Sequence, residues 1–145
     1  MATDVVIDSS TIVALVTFEK YSEWASKKMR QYEYFHTLDL SFYEVANALA
    51  HKVSDKVNMK DATMAFAEAE KMMNLYSVHN FSEILDDALD KALELGIAVY
   101  DAAFLSLAQK LDMQLLTLDQ ELSKKLEHTK YIHLIECPNK KASQV

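Results

Sequence analysis

Four acidic residues stand where the sequence offers their carboxylates no partner. Asp8 follows the apolar run VVI, Asp119 follows LLTL, and Asp101 lies inside the apolar segment AVYDAAFLSLA. No Lys or Arg lies within five residues of Asp8 or Asp101, and only Lys124 is that close to Asp119. A buried carboxylate needs a compensating charge or becomes protonated. Together with the acid of SFYEVANAL, Glu44, these groups suit a hard divalent cation, Mg²⁺ or Mn²⁺ rather than zinc.

The elements that must position these acids alternate short apolar strands with amphipathic helices. This alternation predicts an α/β fold, with a parallel sheet covered on both faces. We expect the single glycine, Gly96, to end the fifth helix. The strands are expected at 5–7, 35–38, 114–118 and 131–135, and the helices at 12–16, 22–32, 41–53, 61–76, 82–95, 98–111 and 120–128.

The expected fold can bring all four acids together. The carboxyl ends of parallel strands share one edge of the sheet, where ligands usually bind. Asp8 and Asp119 end strands at that edge. Glu44 and Asp101 are expected in the first turns of helices that begin there.

Each acid taken singly also has an ordinary structural explanation. Glu44 can close a capping box on Ser41, and Asp119 can cap the helix that follows it. Asp101 can favour its helix dipole, and Asp8 can form a turn with the hydroxyl two residues on. These alternatives stay open at the level of the sequence.

Composition excludes several classes of protein. The chain has 145 residues with one Gly and one Pro, so it has no Gly-rich phosphate loop and few of the turns that all-β folds need. One cysteine, Cys137, excludes an internal disulfide and a Cys-rich zinc site. No apolar stretch approaches the roughly 18 residues of a membrane span, and no leader is recognisable, so a cytoplasmic protein is expected.

Charge argues against simple electrostatic binding of nucleic acid. The net charge is -7, and Arg30 is the single arginine. Lys52, Lys110 and Lys124 are candidates for an RNA path, although lysines more often form a solvated face. We expect one domain over residues 1–137 and a flexible tail over 138–145.

Four motifs in order, VVIDSSTIVAL, SFYEVANAL, VYDAAFLSLA and LLTLDQEL, resemble those of PIN-domain ribonucleases. The resemblance runs from Val5 to Ile135 and is strongest to the toxin subunits of VapBC toxin–antitoxin pairs. It implies a PIN-like three-layer fold with a short parallel sheet of four to five strands and helices on both faces. It also implies catalytic, metal-binding roles for the four acids and auxiliary roles for two hydroxyls, namely Asp8, Glu44, Asp101 and Asp119, with Ser10 and Thr117.

The function implied by this resemblance is hydrolysis of RNA phosphodiester bonds by an endoribonuclease that uses Mg²⁺ or Mn²⁺. The family further implies a homodimer that is inhibited by a VapB-type antitoxin. Two alternatives remain: a metal-dependent DNase of the same fold, and a non-catalytic α/β module that binds a partner. An aspartyl phosphatase is disfavoured, because Ser10 stands where that chemistry usually places a second acid.

Overall fold

The computed structural model describes residues 2–54 and 57–140, which form one five-stranded sheet and seven α-helices. The strands are β1 (Asp4–Ile7), β2 (Tyr34–Leu38), β3 (Ser77–His79), β4 (Leu115–Leu116) and β5 (Ile135–Glu136). All are parallel, in the order β3-β2-β1-β4-β5. The predicted α/β class, parallel sheet and strand number are therefore confirmed.

The helices cover both faces of this sheet. They are α1 (Ser9–Val16), α2 (Ser22–Met29), α3 (Leu40–His51), α4 (Met59–Asn74), α5 (Leu85–Leu95), α6 (Val99–Leu111) and α7 (Gln120–Leu126), with 3₁₀ helices at Phe81–Glu83 and Lys130–Leu134.

Strand β1 lies at the centre, and its alternate side chains serve two separate cores. Val5 and Ile7 pack with α1, α3 and α4, whereas Val6 packs with α5, α6 and α7. All three side chains are fully buried. Each contributes about 1.5–3 kcal/mol relative to an exposed side chain. The alternation fixes the three layers and holds the end of β1, and so Asp8, in place.

The structure corrects three expectations about the strands. Residues 77–79, which the sequence pattern left unassigned, form edge strand β3 beside β2. Within 114–118, only Leu115 and Leu116 are strand. The strand expected at 131–135 is wrong: Lys130–Leu134 is a 3₁₀ helix, whose first turn begins where the Thr129 hydroxyl accepts a hydrogen bond from Tyr131 N at 3.2 Å.

Helix boundaries follow the prediction closely, apart from their caps. Helix α4 begins at Met59, two residues before the expected Asp61, because Asn58 Oδ1 accepts a hydrogen bond from Asp61 N at 2.8 Å. Gly96 ends α5 with φ +66°, the left-handed conformation that glycine adopts without strain, as predicted.

The described part of the expected tail, residues 138–140, contacts the rest of the protein. Residues 141–145 of the expected tail lie outside the described residues; of the rest, Pro138 is buried and Asn139 Nδ2 donates to the Tyr21 hydroxyl at 3.0 Å. In the described ranges no single helix has the length and apolarity to cross a membrane, and only α5 and α6 taken together, bent by 116°, meet that test.

Candidate active site

A small pocket opens where β1 and β4 end. Its volume is about 90 Å³. Its walls include all four acids that the sequence singled out, namely Asp8, Glu44, Asp101 and Asp119, together with Ser9, Ser10, Phe104, Leu115 and Leu122. The four carboxylates therefore line one pocket, although their chain positions span more than a hundred residues.

Asp8 is the most buried of the four, at 8% exposed. Both of its oxygens are engaged: Oδ1 accepts from Ser10 Oγ at 2.7 Å and from Thr11 N at 3.1 Å, and Oδ2 accepts from Thr117 Oγ1. Burial nonetheless raises the pKa of the Asp8 carboxyl, against the lowering effect of these bonds. Asp8, rather than Ser9 to Thr11, is also the N-cap of α1.

Glu44 occupies a different position from the one expected. It is the fifth residue of α3 rather than part of the first turn, because that helix starts at Leu40 behind an Asp39 cap. The capping box with Ser41 does not form. Instead, Glu44 Oε1 accepts a hydrogen bond from Ser9 Oγ at 3.0 Å, which ties α3 to α1.

The environment of Glu44 favours its neutral form. Burial raises its pKa to about 7, and the negative charges of Asp8 and Asp101 add to this rise, whereas the Ser9 bond opposes it. Glu44 is thus held beside other acids in a partly desolvated wall.

Asp101 and Asp119 close the other side of the pocket. Asp101 lies in the first turn of α6, as predicted, and burial with the charges of Asp119 and Asp8 raises its pKa to about 6. The positive charge of Lys125 opposes this rise. Asp119 Oδ1 accepts from Leu122 N at 3.0 Å, so it also caps α7, as the ordinary explanation predicted.

The hydroxyls of the pocket belong to two groups. Ser10 and Thr117, which the sequence suggested, both donate to Asp8. Ser9 and Thr11 were missed as site residues. Ser9 bonds the distant Glu44, whereas Thr11 bonds the nearby Asp8 through its N–H at 3.1 Å and the distant carbonyl of Leu116 through its hydroxyl at 2.9 Å. The run of three hydroxyl residues directly after Asp8 was the available signal.

The donor set of the pocket fits a hard cation. Every ligand-type side chain in its walls carries carboxylate or hydroxyl oxygen, and the charges of neighbouring acids raise the pKa values of Glu44 and Asp101, which a bound cation would reverse. Within residues 2–54 and 57–140, no three His, Cys, Asp or Glu side chains are already arranged to hold an ion. The role of the four acids as ligands therefore stays a prediction.

Comparison with known proteins shows the family to which this chain belongs. The PIN domain family matches residues 5–126, so the chain belongs to the PIN-domain family. Ribonuclease VapC3 of Pyrobaculum aerophilum is 40% identical over 121 residues, which are 83% of this chain and 92% of that protein. Within the PIN family the chain thus groups with proteins of the VapC type.

Solved structures share the fold of this chain. PAE2754 from Pyrobaculum aerophilum has a TM-score of 0.66 at 26% identity, over 94% of this chain and 90% of that one. A toxin–antitoxin complex from Klebsiella pneumoniae contains a chain with a TM-score of 0.68 at 12% identity, over 94% and 99% of the two chains, a likeness that concerns the fold alone.

Proposed function

We propose that this protein is a metal-dependent endoribonuclease that acts as the toxin of a type II toxin–antitoxin pair. The observation that carries the proposal is the pocket lined by Asp8, Glu44, Asp101 and Asp119, where the charges of neighbouring acids raise the pKa values of Glu44 and Asp101. Such a pocket repels an RNA phosphate until a cation enters it. Similarity to Ribonuclease VapC3 supports RNA as the substrate.

Mg²⁺ or Mn²⁺ is the proposed cofactor, with the four carboxylates as its ligands. When bound, such an ion polarises a phosphoryl oxygen and makes water a nucleophile near neutral pH. The protein holds the proposed ligands in position. Asp8 is fixed by Ser10, Thr11 and Thr117, so it can serve as a rigid ligand.

Glu44 is oriented by one hydrogen bond. Its Oε1 accepts from Ser9 Oγ at 3.0 Å, which ties this proposed ligand to α1 beside Asp8. Asp101 and Asp119 complete the wall on the opposite side.

The proposed partners follow from the family. We propose a cytoplasmic homodimer that is held inactive by a VapB-type antitoxin, a proposal that the resemblance to the Klebsiella pneumoniae toxin–antitoxin complex supports. An arginine-bearing segment of the antitoxin is a physically sensible inhibitor, because a guanidinium would neutralise the acidic pocket in place of the metal.

One experiment separates RNase from DNase. The purified protein is incubated with Mn²⁺ and matched single strands of RNA and DNA, together with a circular form of the RNA. We expect cleavage of both linear and circular RNA, since an endonuclease needs no free end. Cleavage of DNA alone would refute the RNase proposal, and an intact circle would refute the endonucleolytic mode.

A second experiment separates an enzyme from a non-catalytic partner-binding module. Overproduction in cells should arrest growth, and Asp8→Asn or Asp101→Asn should abolish the arrest. The variants must accumulate to the level of the parent protein. Equal toxicity of parent and variants would favour the binding module.

A further inference from the structure

A second, larger cleft adjoins the acid pocket. Its volume is about 550 Å³. This volume falls within the roughly 300–1,000 Å³ of typical ligand sites. Ser9 and Ser10 belong to the walls of both cavities. Ser10 donates a hydrogen bond to Asp8 and Ser9 donates one to Glu44, so the cleft directly adjoins two of the four acids. A polymer that is cleaved at the acids extends beyond them, and the adjoining cleft can hold the part next to the cleaved bond.

The charge of the cleft is opposite to that of the protein. Lys20 and Lys52 lie in its wall, and Glu19, the acid in that wall, pairs with Lys52 at 2.5 Å. The formal charge of these three side chains is therefore +1, in a chain whose net charge is -7. Positive charge beside a pocket of carboxylates is what a phosphate on either side of the cleaved bond requires.

The cleft also carries an ordered aromatic ring. Tyr21 lies in its wall; its hydroxyl accepts a hydrogen bond from Asn139 Nδ2 at 3.0 Å, and Lys20 Nζ lies 5.2 Å from the ring centroid. A tyrosine held at its hydroxyl end loses little entropy when a base stacks on it. Proteins that bind single strands combine such aromatic surfaces with nearby cations.

His51 supplies a further polar group in the same wall. Its Nδ1 lies 2.8 Å from the carbonyl oxygen of Asn47, which can only accept, so Nδ1 carries the proton. In the neutral ring Nε2 is then an acceptor, which suits a ribose hydroxyl.

We propose that this cleft binds the nucleotide next to the cleaved bond in single-stranded RNA. In this arrangement Tyr21 stacks on the base, Lys20 and Lys52 attract the phosphates, and His51 contacts the ribose. The proposal rests on the nuclease function and identifies the form of its substrate. Continuity with the acid pocket and the local positive charge favour RNA over a protein segment as the occupant.

The test uses two variants that leave the acids intact. Lys20→Glu reverses an exposed charge, and Tyr21→Leu removes the aromatic ring but keeps an apolar side chain. Tyr21→Phe, which keeps the ring, is the conservative rescue. Lys71→Glu is the matched charge control, because Lys71 lies in the last turn of α4, away from the cleft.

Two measurements are made on single-stranded RNA. With Mn²⁺, KM should rise about 10-fold in Tyr21→Leu, with kcat nearly unchanged and Tyr21→Phe close to the parent protein. Binding is then measured in EDTA on proteins that also carry Asp8→Asn, so that no RNA is cleaved. In Lys20→Glu, the slope of the logarithm of the dissociation constant against the logarithm of salt concentration should fall by roughly one. Lys71→Glu should alter neither quantity.

The outcomes separate this proposal from the nuclease proposal. If the parent protein cleaves RNA but Lys20→Glu and Tyr21→Leu keep its KM, the cleft proposal is overturned and the nuclease stands. If no RNA is cleaved but both variants weaken RNA binding in EDTA, the nuclease fails and the cleft stands. Variants that bind RNA normally but lose a co-expressed antitoxin would overturn the cleft proposal in favour of a protein occupant.

Discussion

The two ends of strand β1 carry the same residue type in opposite electrostatic situations. At the start, Asp4 Oδ2 lies 2.8 Å from His36 Nε2, and this hydrogen bond lowers the pKa of the Asp4 carboxyl. At the end, burial raises the pKa of Asp8, although several hydroxyl and backbone groups donate to it. Three residues of one strand, Val5 to Ile7, separate a carboxylate whose partner is an imidazole from one whose partners are hydroxyl and backbone groups.

At the start of β1, Asp4 belongs to a chain of hydrogen bonds in which every partner is a side chain of the protein. His36 Nδ1 lies 3.0 Å from His79 Nε2, and His79 Nδ1 lies 3.2 Å from Glu83 Oε2. The two imidazole rings thus connect the carboxylates of Asp4 and Glu83. Each of these two acids has a ring nitrogen of the protein as its hydrogen-bond partner.

The second end has hydroxyls in place of imidazoles. Hydroxyls from Ser9, Ser10 and Thr117 bond the acids without neutralising them, and the charges of neighbouring acids raise the pKa values of Glu44 and Asp101. The two ends therefore differ in the partners that the protein itself supplies. At the second end we propose an external cation as the missing component.

The largest expected effect is on RNA cleavage. Asp8→Asn should slow single-turnover cleavage in Mn²⁺ on the order of 10³-fold, because a bound ion contributes several kcal/mol to the transition state. Asp4→Asn, the matched change at the other end of β1, should leave the rate within about twofold, a change no larger than surface substitutions usually cause. Equal losses in both variants would mean that the two ends do not differ in function.

The next effect is stabilisation by metal. Mn²⁺ at a hundred times its dissociation constant should raise the free energy of unfolding by about 2.7 kcal/mol. Thermal unfolding with and without Mn²⁺ measures this shift. Asp4→Asn should keep it and Asp8→Asn should lose it. A shift that survives in Asp8→Asn would place the ion elsewhere.

A smaller effect concerns pH in the absence of metal. Below pH 4.5 the Glu44 carboxyl is protonated in both states; between pH 4.5 and about 7 it ionises only in the unfolded chain, and above that range it ionises in both. Folding therefore loses free energy as pH rises through this window, by about 1–2 kcal/mol once solvent screening is allowed for.

Denaturation in EDTA at pH 4.5 and pH 8 measures this loss. Glu44→Gln should be more stable than the parent protein at pH 8 and should show a weaker dependence on pH. A parent protein whose stability rises over this range would contradict the raised pKa of Glu44.

The smallest effect concerns the histidine chain. His36→Phe keeps a ring of similar size but removes two hydrogen bonds, and it should lower the free energy of unfolding by about 1 kcal/mol. Urea denaturation measures the loss, and the response to Mn²⁺ serves as the control. A change in Mn²⁺ affinity would show that the two ends of β1 are coupled.

The sequence predicts the acids better than their surroundings. An apolar run followed by an acid is a local pattern, so Asp8, directly after β1, and Asp119, three residues beyond β4, were both recognisable. Gly96 was recognisable for the same reason. The bond between Ser9 and Glu44 joins residues 35 positions apart, and no local pattern contains it. The capping box with Ser41 was the best local alternative, and Asp39 caps the helix instead.

The edges of the sheet were predicted least well. Strand β3 forms because β2 offers it three partners, from His36 to Leu38, although its own sequence is short and exposed. At the other edge, β4 has only two residues, so β5 needs only two, and the chain before it turns into a 3₁₀ helix. In both places tertiary pairing decided the structure.

The most direct measurement is the anomalous scattering of a crystal grown with Mn²⁺ and recorded at the manganese absorption edge. A peak between Asp8, Glu44, Asp101 and Asp119, with the acid side chains drawn inward, is the predicted result. A crystal with no peak in that pocket, or with a peak at His36 and His79 instead, would contradict the account.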